Sequence, residues 1–129
     1  MNCPVCKNAM ITIELSDVEI DHCVSCDGIW LDAGELELLL QDRRIAAELI
    51  ESFQKDPNSK EKARRCPICD GKMDKIIVGN SAEPLVIDRC PKGDGLWFDK
   101  NELQNIFDKA HLDKDNKIRT MLADMFGYR

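Results

Sequence analysis

Seven cysteines in this 129-residue chain fall into two clusters with recurring spacing, Cys3-Pro-Val-Cys6 with Cys23-Val-Ser-Cys26, then Cys66-Pro-Ile-Cys69 with Cys90. Cysteines two residues apart at each end of a hairpin can turn four thiolates onto one tetrahedral cation, and Zn²⁺ prefers that donor set. Cys3, Cys6, Cys23 and Cys26 form a complete set. The second cluster holds three thiols, because Gly93 stands where the first has Cys26. Sulfur-rich tetrahedral sites also hold iron, but the paired hairpin turns favour zinc.

The fourth donor of the second cluster has several candidates. Asp94 lies at Cys-x3-Asp spacing from Cys90, and a carboxylate oxygen is an accepted zinc ligand; water, His111 or a site with no stable metal are the alternatives. Asp27 occupies the matching place beside Cys26, where a carboxylate is redundant. An open fourth position would be the catalytic arrangement, and catalysis would also need a base. The acids nearby, Asp99 and Glu102, fit helix capping, and Asp32 with Glu35 repeat them beside the closed site. His22, at the end of a strand pattern, reads as a surface residue. The expectation is two Zn²⁺ per chain, held by Cys3, Cys6, Cys23, Cys26 and by Cys66, Cys69, Cys90, Asp94, with no catalytic residue.

These clusters belong to an internal repeat. Cys3, Pro4, Cys6 and Met10 match Cys66, Pro67, Cys69 and Met73. After an insertion in the second copy, Ile20, Asp21, Cys23, Asp27, Gly28, Trp30, Asp32, Glu35 and Leu36 match Ile87, Asp88, Cys90, Asp94, Gly95, Trp97, Asp99, Glu102 and Leu103. Each unit is about 60 residues, a size at which apolar burial alone is marginal and a metal staple helps. The start Met-Asn-Cys lacks the basic and apolar regions of a leader, and no apolar run is long enough to span a bilayer, so a reducing cytoplasm is expected and metal is favoured over disulfides.

Net charge is −6, unevenly placed: residues 1–59 carry 4 Lys/Arg against 12 Asp/Glu, or −8, and residues 60–129 carry 14 against 12, or +2. Zinc on four thiolates makes the first half more negative still, which repels a phosphate backbone. Nucleic acid is thus disfavoured there. A second-half route would use Lys60, Lys62, Arg64, Arg65, Arg89 and Lys92.

The elements that position the cysteines follow from the residues between them. Met10–Leu15 and Val18–His22 are β-branched runs split by Ser16-Asp17, a hairpin pattern. The second copy repeats it with 73–78 and 85–89 around a longer loop at 79–84, and 29–31 and 96–98 read as third strands. Asp32-x-x-Glu35 and Asp99-x-x-Glu102 read as capping boxes in which the Asp side chain takes an orphan amide and the Glu reaches back. The first helix is expected to run to about Phe53. The second carries Leu103, Ile106, Phe107 and Ala110, is expected to bend or break at 113–117, and is followed by an apolar stripe from Ile118 to Phe126. Asn8, Gly28, Gly71 and Gly95 follow the metal turns as residues that tolerate positive φ. Trp30 and Trp97 are each expected to pack their own hairpin on their own helix. The fold class is α+β, small and metal-stabilised: two tandem zinc β-ribbons each followed by a helix. Residues 1–53 form the first unit, 54–65 an exposed polar linker and 66–129 the second.

The run Cys-Pro-x-Cys, then Ile-Asp-x-Cys-x-x-Cys-Asp-Gly-Ile-Trp-Leu-Asp-x-Gly-Glu-Leu, resembles the small zinc-ribbon family named for transcription factor IIB, and both copies fit it. The resemblance implies a β-ribbon holding one Zn²⁺ with a C-terminal helix, a link to transcription, and no established activity. Relatives often carry His at the position of Asp94, which adds to the case for Asp94 as a ligand. The expected function is a non-catalytic, transcription-associated or protein-interaction adaptor. It would meet a protein partner or a second copy through apolar helix faces, with Leu39, Ile50, Phe53, Met121, Met125 and Phe126 as contacts. A nucleic-acid-binding regulator and a metal-handling or hydrolytic protein are the alternatives.

Overall fold

The β-branched runs pair as their pattern requires. In the computed structural model, whose described residues are 1–78 and 85–110, Ile11–Leu15 (β1) and Val18–His22 (β2) form an antiparallel hairpin with Leu15 opposite Val18. Ser16 and Asp17 turn between them at φ 50° and 66°, the left-handed pair whose twist suits a two-residue hairpin. Ile29–Asp32 (β3) adds to β2. Two helices, Glu35–Leu40 (α1) and Arg43–Glu51 (α2), and a short strand, Gln54–Lys55 (β4), lead into the second copy. There Asp74–Val78 (β5) and Leu85–Arg89 (β6) form the hairpin, Gly95–Phe98 (β7) is the third strand, and Glu102–Ala110 (α3) the helix. The expected loop at 79–84, and the bend and stripe expected within 111–129, lie outside the described residues.

The two copies share one sheet. β3 and β7 pair antiparallel, with Trp30 opposite Trp97, Ile29 opposite Phe98 and Leu31 opposite Leu96, giving the strand order β1-β2-β3-β7-β6-β5-β4. Trp30 and Trp97 are the same position of the repeat, so a local pseudo-twofold axis passes through their pair. Alternation along the strands divides the core. Ile29, Leu31 and Phe98 are buried against the helices with Leu36, Leu39 and Ile106, while Trp30 and Trp97 turn to the opposite face among the cysteines.

Three local expectations need correction. The first helix does not run unbroken to Phe53: Gln41 takes a left-handed φ of 61° and ends α1, and the Asp42 carboxylate accepts from the amides of Arg44 and Ile45 at 3.1 Å to start α2. The kink turns Ala46, Leu49 and Phe53 onto the core. The capping boxes are half formed. Glu35 accepts from the Asp32 amide at 2.6 Å and Glu102 from the Asp99 amide at 2.7 Å, but the Asp side chains instead take the indole N–H groups of Trp30 and Trp97, at 2.8 and 2.9 Å. Nor is 54–65 simply an exposed linker. β4 pairs with β5, Asp56 donates its amide to the Lys75 carbonyl at 2.8 Å, and Arg64 reaches Asp99 at 3.0 Å.

Candidate metal centres

Each metal turn is built from backbone hydrogen bonds that the Cys-x2-Cys spacing permits. The Cys3 carbonyl accepts from the Lys7 amide, Cys23 from Asp27, and Cys66 from Asp70, at 2.8–2.9 Å. Lys7, Asp27 and Asp70 adopt φ of 67°, 62° and 60°, so the left-handed residue is four after the first cysteine. Positive φ was expected one residue later, at Asn8, Gly28, Gly71 and Gly95. Glycine at 28 and 95 has a different cause: a Cβ on Gly28 would collide with the Trp97 ring, and one on Gly95 with the Leu31 carbonyl and the Trp30 ring.

The fourth turn is tighter. Gly93 donates its amide to the Cys90 carbonyl at 3.0 Å and itself takes the left-handed φ of 84°. Shortening the turn by one residue aims Asp94 inward. Its Oδ2 lies 3.3 Å from Cys90 Sγ and 3.5 Å from Cys66 Sγ.

Both donor sets fit a tetrahedral cation. Cys3, Cys6, Cys23 and Cys26 bring four ligand atoms within 4.8 Å of one another, and so do Cys66, Cys69, Cys90 and Asp94. Bonds of about 2.3 Å from zinc to sulfur place tetrahedral sulfurs about 3.8 Å apart, and a zinc–oxygen bond of about 2.0 Å sets oxygen about 3.5 Å from sulfur. The Cys3–Cys26 and Cys69–Cys90 sulfurs are 3.7 Å apart, and the Asp94 oxygen matches the mixed distance.

The electrostatics agree. Burial pushes the Cys66 thiol up to about 12 and raises Cys26 as well, so these groups need a nearby cation to ionise. Hydrogen bonds from Cys69 and Cys90 hold Asp94 below the usual carboxylate range. Amides of Val5 and Cys6 donate to Cys3 Sγ at 3.3 Å, and that of Ile68 to Cys66 Sγ at 3.4 Å, stabilising thiolate charge.

The tryptophans tie the two centres together. Trp30 and Trp97 are fully buried with Cys3, Cys23, Cys66, Cys90 and Met73. They do not pack hairpin against helix, as expected from sequence, but cross to the other copy's turn. The repeated Trp-x-Asp pattern was the missed signal: an indole N–H and a carboxylate two residues on along a strand lie on one face and can bond.

The remaining candidates fall elsewhere. His22 is buried, not on the surface; its Nε2 stands 3.4 Å from Asp27 Oδ1, outside the donor set. His111 lies outside the described residues. Arg64 is engaged by Asp99, Arg65 donates to the Asp70 carbonyl at 3.0 Å, and Arg89 sits over the Phe53 ring at 6.0 Å. Leu39 is buried in the core, Ile50 and Phe53 are half-buried, and Met121, Met125 and Phe126 lie outside the described residues.

Two four-donor centres on a duplicated β-ribbon define a tandem zinc-ribbon protein. Residues 2–42 and 65–109 match the transcription factor zinc-finger family, and the chain belongs to it. No curated protein and no solved structure matches the chain. Among the described residues no helix is long and apolar enough to cross a membrane.

Proposed function

We propose that this protein is a non-catalytic adaptor, held in shape by two Zn²⁺ and working by contact with a protein partner in a transcription-associated setting. The observation that carries this reading is the complete donor set at both centres. Zinc with four protein ligands is structural, because no coordination position is left for water or substrate. The Asp94 carboxylate fills the place that a hydrolytic reading needs open. The family's description supports the link to transcription, and thiols used as metal ligands suit a reducing cytoplasm.

The helical face is the favoured contact surface. Leu38 is 63% exposed on α1, and a groove of about 180 Å³, which Leu38 does not line, is formed by Leu36, Ile50, Phe53, Leu96 and Arg89 among others. Nucleic acid is the weaker alternative, since Arg64, Arg65 and Arg89 all make contacts within the chain and Lys60, Lys62 and Lys92 remain.

The test is quantitative crosslinking of the zinc-loaded chain in cells, comparing wild type with Leu38→Glu. A transcription component captured by wild type and lost with the variant supports the reading. Capture unaffected by Leu38→Glu, or hydrolase activity that disappears in Asp94→Cys, overturns it.

A further inference from the structure

The sheet ends differently at its two edges. On the second copy, β5 is sheltered by β4, with Gln54 opposite Ile77 and Lys55 opposite Ile76, and the Lys75 carbonyl accepts from Asp56. Ile76, the counterpart of Ile13, is fully buried. The equivalent edge of the first copy is β1, and among the described residues nothing pairs with its outer side. Ile11 there is 47% exposed and Ile13 only half-buried.

Register shows which groups face outward. Thr12 and Glu14 correspond to Lys75 and Ile77, the two positions whose backbone groups face β4. In β1 their N–H and C=O groups therefore point away from β2. The usual protections of an edge strand are sparse here: β1 has no proline or lysine, and Glu14 is its one charged residue.

We propose that β1 pairs antiparallel with β1 of a second copy of this chain, centred on Ile13, so that two sheets join into one. In that register Thr12 faces Glu14 of the second copy, and each such pair exchanges both backbone hydrogen bonds. Ile13 meets Ile13, and Ile11 meets Leu15. A register centred on Glu14 would oppose two carboxylates, and one centred on Thr12 would leave Leu15 without a partner within β1. The Ile13-centred register alone uses all five residues without like charges in apposition. It covers Ile13 as β4 covers its counterpart Ile76, and it shelters Ile11, which stands where the second copy has Asp74. The inference goes beyond the adaptor reading and does not depend on what docks on the helices.

Sedimentation equilibrium of the zinc-loaded chain tests it, with Thr12→Pro, Ile11→Lys and Thr12→Lys as variants. Thr12→Pro removes an outward amide and leaves the β1–β2 ladder intact; Thr12→Lys places a cation between its own Asp21, as Lys75 stands against Asp88, and Glu14 of the second copy. The expected mass rises with concentration towards twice the 14.7 kDa of one chain. Thr12→Pro and Ile11→Lys weaken association at least tenfold, and Thr12→Lys tightens it several-fold at low salt. Full zinc content in each variant checks the fold. A single-chain mass up to about millimolar concentration overturns the proposal, as does a dimer indifferent to Thr12→Pro and Ile11→Lys. Slow hydrogen exchange at Thr12 and Glu14 in a monomer would also overturn it, because the chain itself would then cover the edge.

Discussion

Trp30 and Trp97 face each other across the β3–β7 pair, and each indole lies against the glycine of the other copy's metal turn. The centres therefore share a wall. A change in one turn reaches the opposite ribbon through a ring that cannot move without disturbing the sheet.

Gly28→Ala should show this coupling. Its methyl meets the Trp97 ring, and overpacking of that kind costs about 1–3 kcal/mol. Thermal unfolding of the zinc-loaded protein should begin several degrees lower, and in a Trp97→Leu background, itself destabilised by loss of the buried ring, the added cost of Gly28→Ala should largely vanish. An unchanged midpoint for Gly28→Ala would show that the rings do not bear on the opposite turns.

Asp94 sets the difference between the centres. Asp94→Ala should weaken the second zinc at least tenfold against a chromophoric chelator and leave the first in place. Asp94→Cys should strengthen it, and with Co²⁺ in place of zinc the thiolate charge-transfer absorption should grow by the contribution of one more sulfur. Equal metal retention in Asp94→Ala and wild type would remove Asp94 from the ligand set.

Glu102 makes stability depend on pH. Burial lifts its carboxyl from 4.5 to about 8, with Asp99, Glu61 and Asp88 adding to the effect. The folded protein thus holds a proton that the unfolded chain has lost over this window, and stability falls as pH rises through it, levelling off above. Glu102→Gln keeps an oxygen to accept from the Asp99 amide and cannot ionise. Denaturant titrations should place the two proteins close together near pH 5 and the variant ahead near pH 9; a constant difference across the range would contradict this.

The hairpin of the second copy contains a buried ion pair, Lys75 with Asp88 at 2.6 Å, where the first has Thr12 donating to Asp21 at 3.0 Å. Lys75→Met leaves the Asp88 carboxylate buried alone and should cost about 3–5 kcal/mol. Adding Asp88→Leu should return most of it in a double-mutant cycle. Strict additivity would mean that the two charges do not interact.

Much of this organisation was legible in the residues. Cys-x2-Cys at both ends of a hairpin pattern identifies a closed zinc site because four thiolates and local turn geometry suffice, and the repeat carries three of those ligands to the second copy while leaving its fourth open. Ser16-Asp17 between β-branched runs identifies β1 and β2 for the same local reason. The break at Gln41 was harder to see, since the apolar period resumes after it in nearly the same phase; Asp42 before Arg-Arg-Ile was the available sign.

The sequence by itself determined the two metal turns, the hairpins and the asymmetry of Gly93 and Asp94, because these depend on contacts within each copy and on the chemistry of their donors. Only the tertiary structure decided that the ribbons join edge to edge, that each tryptophan serves the other copy's turn, and that 54–55 becomes a strand. Those arrangements rest on which sheet edges and apolar faces meet across the repeat, and a period along the chain records which face a residue presents but not the surface that covers it.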